Sequence, residues 1–207
     1  MGNKRVGLAR TQALLENLKR EIDLSTSTIL KNAQLTVAEE SATYGAGAIS
    51  TEVAPSTFIQ NVGGDIITTI QVDLTGLKKK SDVGDVIGLD GVNGAYLLQF
   101  LSAKHGILYK VEVSCIELPA AASNNLLDFD LIANSSATLA YDGDASGGTS
   151  IFAAGGNFAL GTTIQNLAVT QPTNEHYVYL CDGATSTGAD TFTAGKLVIK
   201  LFGRASF

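Results

Sequence analysis

Residues 107–118, ILYKVEVSCIEL, decide the fold class of this chain. Apolar residues occupy every second position in most of this stretch: Ile107, Tyr109, Val111, Val113 and Cys115. The polar residues between them are Lys110, Glu112 and Ser114. A period of two is typical of a β-strand that buries one face. The stretch therefore predicts a half-buried strand with these five apolar residues facing a core.

The same period recurs on both sides of this stretch. Residues 65–74 place Ile66, Thr68, Ile70, Val72 and Leu74 on one predicted face. In residues 196–202, Leu197, Ile199 and Leu201 alternate with Lys196, Val198 and Lys200. Further strand-like runs occupy residues 95–101, 127–132, 138–141, 164–170 and 177–181. Because only the turn 102–106 separates the runs 95–101 and 107–118, they predict a β-hairpin.

The connections between these runs are rich in Gly, Ser and Asn, as in residues 142–148, DGDASGG. Strands do not alternate with helices, so nothing indicates a parallel sheet. Eight to ten short strands separated by such turn-rich connections are typical of a β-sandwich or a jelly roll. We therefore expect a mainly β fold, an antiparallel β-sandwich that is jelly-roll-like, with an N-terminal α-helical arm.

The arm is predicted from residues 7–24, GLARTQALLENLKREIDL. Its apolar stripe consists of Leu8, Leu15, Leu18 and Ile22, at the spacing of one helix face. Its partner-binding basic residues are Arg5, Arg10, Lys19 and Arg20. A helix of this length is marginal alone in water, so the stripe needs a partner. That partner is the chain's own body, a neighbouring subunit or a short coiled-coil seam.

Three regions follow from these patterns. Residues 1–33 are predicted to form the basic amphipathic arm, and residues 65–207 the β-sandwich body. Residues 34–64 are mostly small and polar between scattered apolar residues. We expect them to form an extended connecting segment that contacts a neighbour; a flexible linker or a long loop is the alternative.

Charge is unevenly distributed along the chain. The net charge is −6, from 14 basic and 20 acidic residues. Residues 1–31 hold six basic and three acidic residues, a charge of +3, so the remainder carries −9. This asymmetry favours an arm that lies across an acidic surface. It does not favour nucleic acid, because the cations form no continuous stripe. Neither a signal peptide nor a membrane span is predicted.

Residues that carry enzyme chemistry are scarce, and no enzyme activity or cofactor is predicted. The chain has two histidines and two cysteines and lacks nucleophile-elbow, phosphate-loop and zinc-ligand spacings. His105 falls in the predicted turn and His176 lies one residue before a strand, so both are interpreted as solvated or capping residues. Lys78–Lys80 is the one basic run; it indicates a strand end or turn, or a contact with an acidic partner.

Two acidic pairs are the candidate ligands. Asp142 and Asp144 lie in the Gly-rich loop, where loop oxygens bind calcium in some proteins; an ordinary turn is the alternative. Asp128 and Asp130 alternate in a predicted strand, where they form either a solvent-exposed face or a calcium or glycosidase pair. No metal site is predicted beyond the weak calcium candidates Asp142 and Asp144.

The two ends of the chain carry a resemblance. Residues 1–22, MGNKRVGLARTQALLENLKREI, resemble the openings of small virion proteins of tailed phages, especially those of marine bacteria. Residues 191–207, TFTAGKLVIKLFGRASF, resemble the closing strand of phage head-associated β-sandwich proteins. The resemblance implies a capsid decoration or cement protein with a jelly-roll body. Such a protein clamps neighbouring subunits on the outer shell and commonly forms a homotrimer.

We therefore expect a virion structural protein on the capsid surface, assembled in the host cytoplasm. Its expected partners are the major capsid protein or other virion subunits, and further copies of itself, with a trimer favoured. The alternative is a receptor- or carbohydrate-binding module of a phage tail or spike. The absence of Trp argues against that alternative, because sugar platforms need exposed rings. A hydrolase using Asp128 and Asp130 ranks last.

Overall fold

The computed structural model describes residues 36–40, 44–51, 53–121 and 127–205. The predicted arm, residues 1–33, lies outside them. The described residues form eleven strands, one short helix α1 (Ser102–His105) and a 3₁₀ turn at Ala46–Ala48. The strands are β1 (Thr36–Glu40), β2 (Ser56–Val62), β3 (Asp65–Asp73), β4 (Lys78–Lys79), β5 (Tyr96–Gln99), β6 (Ile107–Ala121), β7 (Phe129–Asn134), β8 (Thr149–Ala153), β9 (Thr163–Asn166), β10 (Tyr177–Asp182) and β11 (Asp190–Arg204). Within this part of the chain, no helix has the length and hydropathy needed to cross a membrane.

The strands form two antiparallel sheets. The large sheet has seven strands in the order β1-β2-β3-β11-β6-β9, with β4 paired to β11. The small sheet has four strands in the order β5-β10-β7-β8. Every strand pair is antiparallel. The predicted mainly β, antiparallel fold is therefore confirmed.

One apolar core joins the two sheets. It takes Ile70 and Ile199 from the large sheet, and Leu98, Leu131 and Leu180 from the small one. The inward residues of β3 and β11 are those that the period of two predicted. Ile66, Thr68, Ile70 and Val72 are at most 4% exposed, and Leu197, Ile199 and Leu201 are fully buried.

The prediction of which β6 residues face the core is wrong at the start of the strand. Ile107 and Tyr109 are 56% and 48% exposed, while Leu108 is buried. The pairing with β11 shifts here, because Lys110 pairs with Phe202 but Leu108 pairs with Gly203. Tyr109 is the extra residue of a β-bulge. Because of this extra residue, the side chains before it point to the opposite side of the sheet from the one that the period of two predicts.

The predicted hairpin around residues 102–106 is also wrong. β5 pairs with β10 in the small sheet, whereas β6 pairs with β11 and β9 in the large one. The connection between them is α1, which ends at Gly106 with a φ of 71°. Glycine adopts this left-handed conformation without strain, so the chain crosses from one sheet to the other.

Other boundaries differ from the sequence predictions. Residues 138–141 form no strand, and β8 lies in a stretch with no strand prediction. β2 lies within the predicted contact segment 34–64 and pairs with β3 along its whole length. Part of that segment therefore extends the large sheet.

Candidate interaction surface and buried polar clusters

The predicted partner-binding residues of the arm lie outside the described residues. They are Arg5, Leu8, Arg10, Leu15, Leu18, Lys19, Arg20 and Ile22. Their role remains a prediction from the sequence.

The two calcium candidates both bind protein donors. Lys80 Nζ lies 2.6 Å from Asp142 Oδ2. The Ser146 amide donates to Asp144 Oδ1 at 2.7 Å, and hydrogen bonding to Ser146 lowers the pKa of Asp144. Across the described ranges, no group of three or more His, Cys, Asp or Glu side chains is placed to hold a metal ion.

Lys79 is the residue whose position differs most from the prediction for the basic run. Its side chain is fully buried, whereas those of Lys78 and Lys80 are each 38% exposed. Lys79 Nζ donates to Ser186 Oγ at 3.0 Å and to the carbonyl oxygens of Thr187 and Gly188, each at 2.9 Å. A buried ammonium group needs such acceptors. The run therefore does not form a single basic patch.

Asp182 completes this cluster from the end of β10. It is fully buried, and its Oδ1 lies 3.8 Å from Lys79 Nζ. It accepts hydrogen bonds from the Lys80 amide at 2.8 Å and from Ser186 Oγ at 2.7 Å. Burial raises the pKa of Asp182 to about 6 and lowers the pKa of Lys79. The cluster fastens the loop after β10 to β4.

Asp128 does not lie on a solvent-exposed face. It is fully buried just before β7, where it accepts hydrogen bonds from the Gly156 amide and from the amide and hydroxyl of Thr185, at 2.9 to 3.1 Å. These bonds join two loops to the start of the strand. Asp130 is half-buried, and burial together with the charge of Asp128 raises its pKa to about 6. Because Asp128 does not reach solvent, the pair is not an accessible acid–base dyad.

His105 is buried rather than solvated. Its Nδ1 lies 2.8 Å from Thr68 Oγ1, and its ring stacks on Phe100 with centroids 5.5 Å apart. Both His105 and Thr68 are fully buried. The sequence carried one hint of this contact, since Thr68 is the polar residue on the predicted inner face of β3. His176 is half-buried just before β10.

The small sheet has a second buried layer on its outer face. Tyr179 and Cys181 of β10 and Ile132 of β7 are at most 5% exposed there. The covering residues Val86, Ala95, Leu139 and Ala145 come from the segments before β5 and after β7. Hydrogen bonds hold this cover in place, among them the bond from Tyr179 Oη to the Ser136 carbonyl oxygen at 2.6 Å.

The large sheet has no such cover among the described residues. Its outer face carries Ile116, which is 55% exposed, and Tyr109. The outward residues Ile67, Val198 and Phe202 are only half-buried. An antiparallel sheet commonly leaves one face in solvent, but that face is normally polar, whereas this one carries exposed apolar side chains. The outer face of β2, β3, β11, β6 and β9 is therefore a candidate interaction surface, called the open face below.

A groove of about 150 Å³ lies at one end of the open face. Its exposed wall is mainly apolar and includes Val53, Ala54 and Ile116. Gln71, Asp73 and Lys196 add polar atoms to the lining. The groove brings together the segment before β2 and the end of β6, which are distant in sequence.

The charges on the open face occur mainly in pairs. Lys110 Nζ lies 2.8 Å from Glu112 and 3.8 Å from the centroid of the Phe202 ring. Lys196 pairs with Glu117 and with Asp73, and Arg204 lies 3.5 Å from Asp65. With Lys200, the five strands β2, β3, β11, β6 and β9 hold four basic and four acidic residues on this face, all on β3, β6 and β11, so the net charge of the open face is zero. The edge strand β1, which contains Glu39 and Glu40, is not part of the open face.

No protein-family model, curated protein or solved structure matches this chain.

Proposed function

We propose that this chain is a virion structural protein that decorates or cements a phage capsid by binding neighbouring shell subunits. It acts on the capsid surface, is assembled in the host cytoplasm, and uses neither catalysis nor a cofactor. Its partners are the major capsid protein or other virion subunits and further copies of itself, with a trimer favoured. The structural observation that supports this proposal is the pairing pattern of the eight strands β3 and β5–β11, which matches a fold that many capsid proteins have.

We infer from this pattern that the body is a jelly roll. In chain order the first of the eight strands pairs with the last (β3 with β11), and the second with the seventh (β5 with β10). The third pairs with the sixth (β6 with β9), and the fourth with the fifth (β7 with β8). These four pairs are those of one long hairpin in which strands one to four run alongside strands eight to five. Rolling that hairpin adds the pairs β6–β11 and β7–β10.

A jelly roll alone does not assign a function, because capsid proteins, lectins and cupins share it. The capsid assignment is supported by the resemblance of residues 1–22 and 191–207 to phage virion proteins. It is also supported by the charge asymmetry between the arm and the body, and by the open face. A sheet face that the described residues leave uncovered suits a protein whose partners are other chains.

The test is the amount of this protein in purified particles. We expect tens to hundreds of copies per particle on the outer surface, measured by quantitative mass spectrometry and surface labelling. Purified protein should also rebind shells stripped of it. A copy number below about six, or a location inside the shell, contradicts the proposal.

The role of the arm needs its own experiment. We expect deletion of residues 1–31, or Leu15→Asp with Leu18→Asp in the full chain, to abolish shell binding. Asn17→Asp is the matched control, because it adds an acid to the arm outside the apolar stripe and should still bind. If the truncated protein saturates shells, the assigned role of the arm is wrong.

One observation favours the alternative of a receptor- or carbohydrate-binding module. Tyr96 and Tyr177 are half-buried, with ring centroids 4.8 Å apart, and Gln99 Nε2 lies 3.3 Å from Tyr177 Oη. Sugar-binding sites use aromatic rings beside amide groups. The sequence analysis did not identify this cluster. Glycan-array binding that Tyr96→Ala and Tyr177→Ala abolish would favour the module over decoration.

A further inference from the structure

We propose that the open face of the large sheet is the contact surface between copies of this chain. The inference deepens the proposed function, and its relevance to a capsid rests on that function. The contact itself is a property of the isolated protein.

The first argument is the asymmetry between the two sheets. The chain covers the outer face of the small sheet with its own segments, so that Tyr179 and Cys181 are fully buried. On the open face, Ile116 remains 55% exposed and Tyr109 48% exposed. Apolar side chains that the described residues leave exposed on this face are an area that association removes from water.

The second argument is charge, which favours a second copy as the occupant. Residues 32–207 carry −9, from eight basic and 17 acidic residues. The open face takes four basic and four acidic residues of these, so the rest of the body carries the whole −9. Two bodies of like charge repel each other unless they meet through neutral surfaces. The open face is neutral, and its paired charges and apolar ends can match those of another copy.

The third argument is size. Five strands, β2, β3, β11, β6 and β9, lie about 4.8 Å apart, and the nine residues of β3 extend about 3.3 Å each. The face therefore measures roughly 24 by 30 Å, or about 700 Å². A stable specific interface buries about 800 Å² on each partner. The groove beside Ile116 provides a recess in which an apolar side chain of the second copy packs.

The main test is the Ile116→Glu variant of the full chain, measured by sedimentation velocity from 1 to 100 µM. We expect the wild type to form an oligomer and the variant to sediment as a 21.5 kDa monomer. An unpaired charge inside a dry contact, in the groove at one end of the open face, should weaken association by about 100-fold or more. Val83→Glu is the matched control, since Val83 is 54% exposed and lies outside the open face; it should remain oligomeric.

A second measurement covers the case in which Ile116→Glu fails to fold. Cys115 and Cys181 are buried, so Gln71→Cys introduces a single reactive thiol on the open face. We expect maleimide to label it when the protein is dilute and to label it much more slowly when the protein is concentrated. Val83→Cys should react equally fast at both concentrations.

Four results would overturn the inference. A monomeric wild type at 100 µM, or an Ile116→Glu variant that keeps the wild-type oligomer, removes the contact. Protection of Gln71→Cys at every concentration assigns the face to another segment of the same chain. Protection only after shells are added assigns it to the capsid. A chain that associates through this face but is absent from particles refutes the proposed function alone.

Discussion

Replacing Lys79 with Met tests whether the buried cluster is held together by charge. Lys79→Met keeps most of the side-chain volume but removes the hydrogen bonds to Ser186, Thr187 and Gly188. It also leaves Asp182 buried without its cation. Removing one member of a buried ion pair destabilises a protein by about 3–5 kcal/mol. A domain that is stable by about 5–15 kcal/mol should therefore remain folded, with a much lower urea midpoint.

The effect should depend on pH. Burial raises the pKa of Asp182 in the folded state to about 6, from 3.8. A group with a raised pKa contributes stability fully below its unfolded value, and that contribution is lost as the pH rises through the folded pKa. Without the positive charge of Lys79 the pKa rises further. The deficit of the variant relative to wild type should therefore be smaller at pH 5 than at pH 8.

Urea unfolding at pH 5, 6, 7 and 8 measures this deficit. Lys80→Met is the matched control, because the Lys80–Asp142 pair is exposed and such pairs contribute about 0–1 kcal/mol. Adding Asp182→Asn to Lys79→Met removes the buried carboxylate, so the double variant should no longer lose more stability relative to wild type at pH 8 than at pH 5. The reasoning is refuted if Lys79→Met loses no more stability than Lys80→Met, or if its deficit is the same at pH 5 and pH 8.

Three further predictions concern stability. Thr68→Val should destabilise the protein by about 1–3 kcal/mol, because His105 Nδ1 loses a buried partner; Thr69→Val on the outer side of β3 is the control in the same unfolding assay. Asp130→Asn should gain stability relative to wild type as the pH rises from 4.5 to 8. The reason is that the pKa of Asp130 is raised to about 6, so the wild type loses stability from this group as the pH rises. If the difference in unfolding free energy between variant and wild type is the same at both pH values, the charge of Asp130 is not buried. Gly203→Ala should abolish folding or lower the melting temperature severely, since its Cβ would overlap the His105 carbonyl oxygen. The matched control Gly147→Ala meets no atom within 4 Å and has no positive φ, so it should cost far less.

The parts of the fold that follow from local pattern were predictable. The period of two identified β3, most of β6 and the end of β11, because each of these strands has one face in the core and one in solvent. The antiparallel class followed from the turn residues between them. β8 was missed because a stretch as short as Thr149–Ala153 gives too few alternations to distinguish a strand from a loop.

Pairings between distant residues were not predictable. Lys79 looked like a surface residue because it stands between two other lysines, and its acceptors on Ser186, Thr187 and Gly188 lie more than 100 positions later. His105 looked like a turn residue because its partner Thr68 lies on another strand. The hairpin prediction failed for a related reason: local spacing does not distinguish a turn within one sheet from a crossing between two sheets.

The open face and the arm should respond to salt in opposite ways. At 1 M salt the Debye length falls to about 3 Å, so attraction between the predicted basic arm and an acidic surface weakens. The open face has no net charge to screen, while screening reduces the repulsion between bodies of −9. Self-association should therefore persist or strengthen between 0.05 and 1 M NaCl, while binding of the protein to shells weakens. If sedimentation shows the oligomer dissociating as salt increases, the copies are held together by charge, and the argument from the neutral face fails.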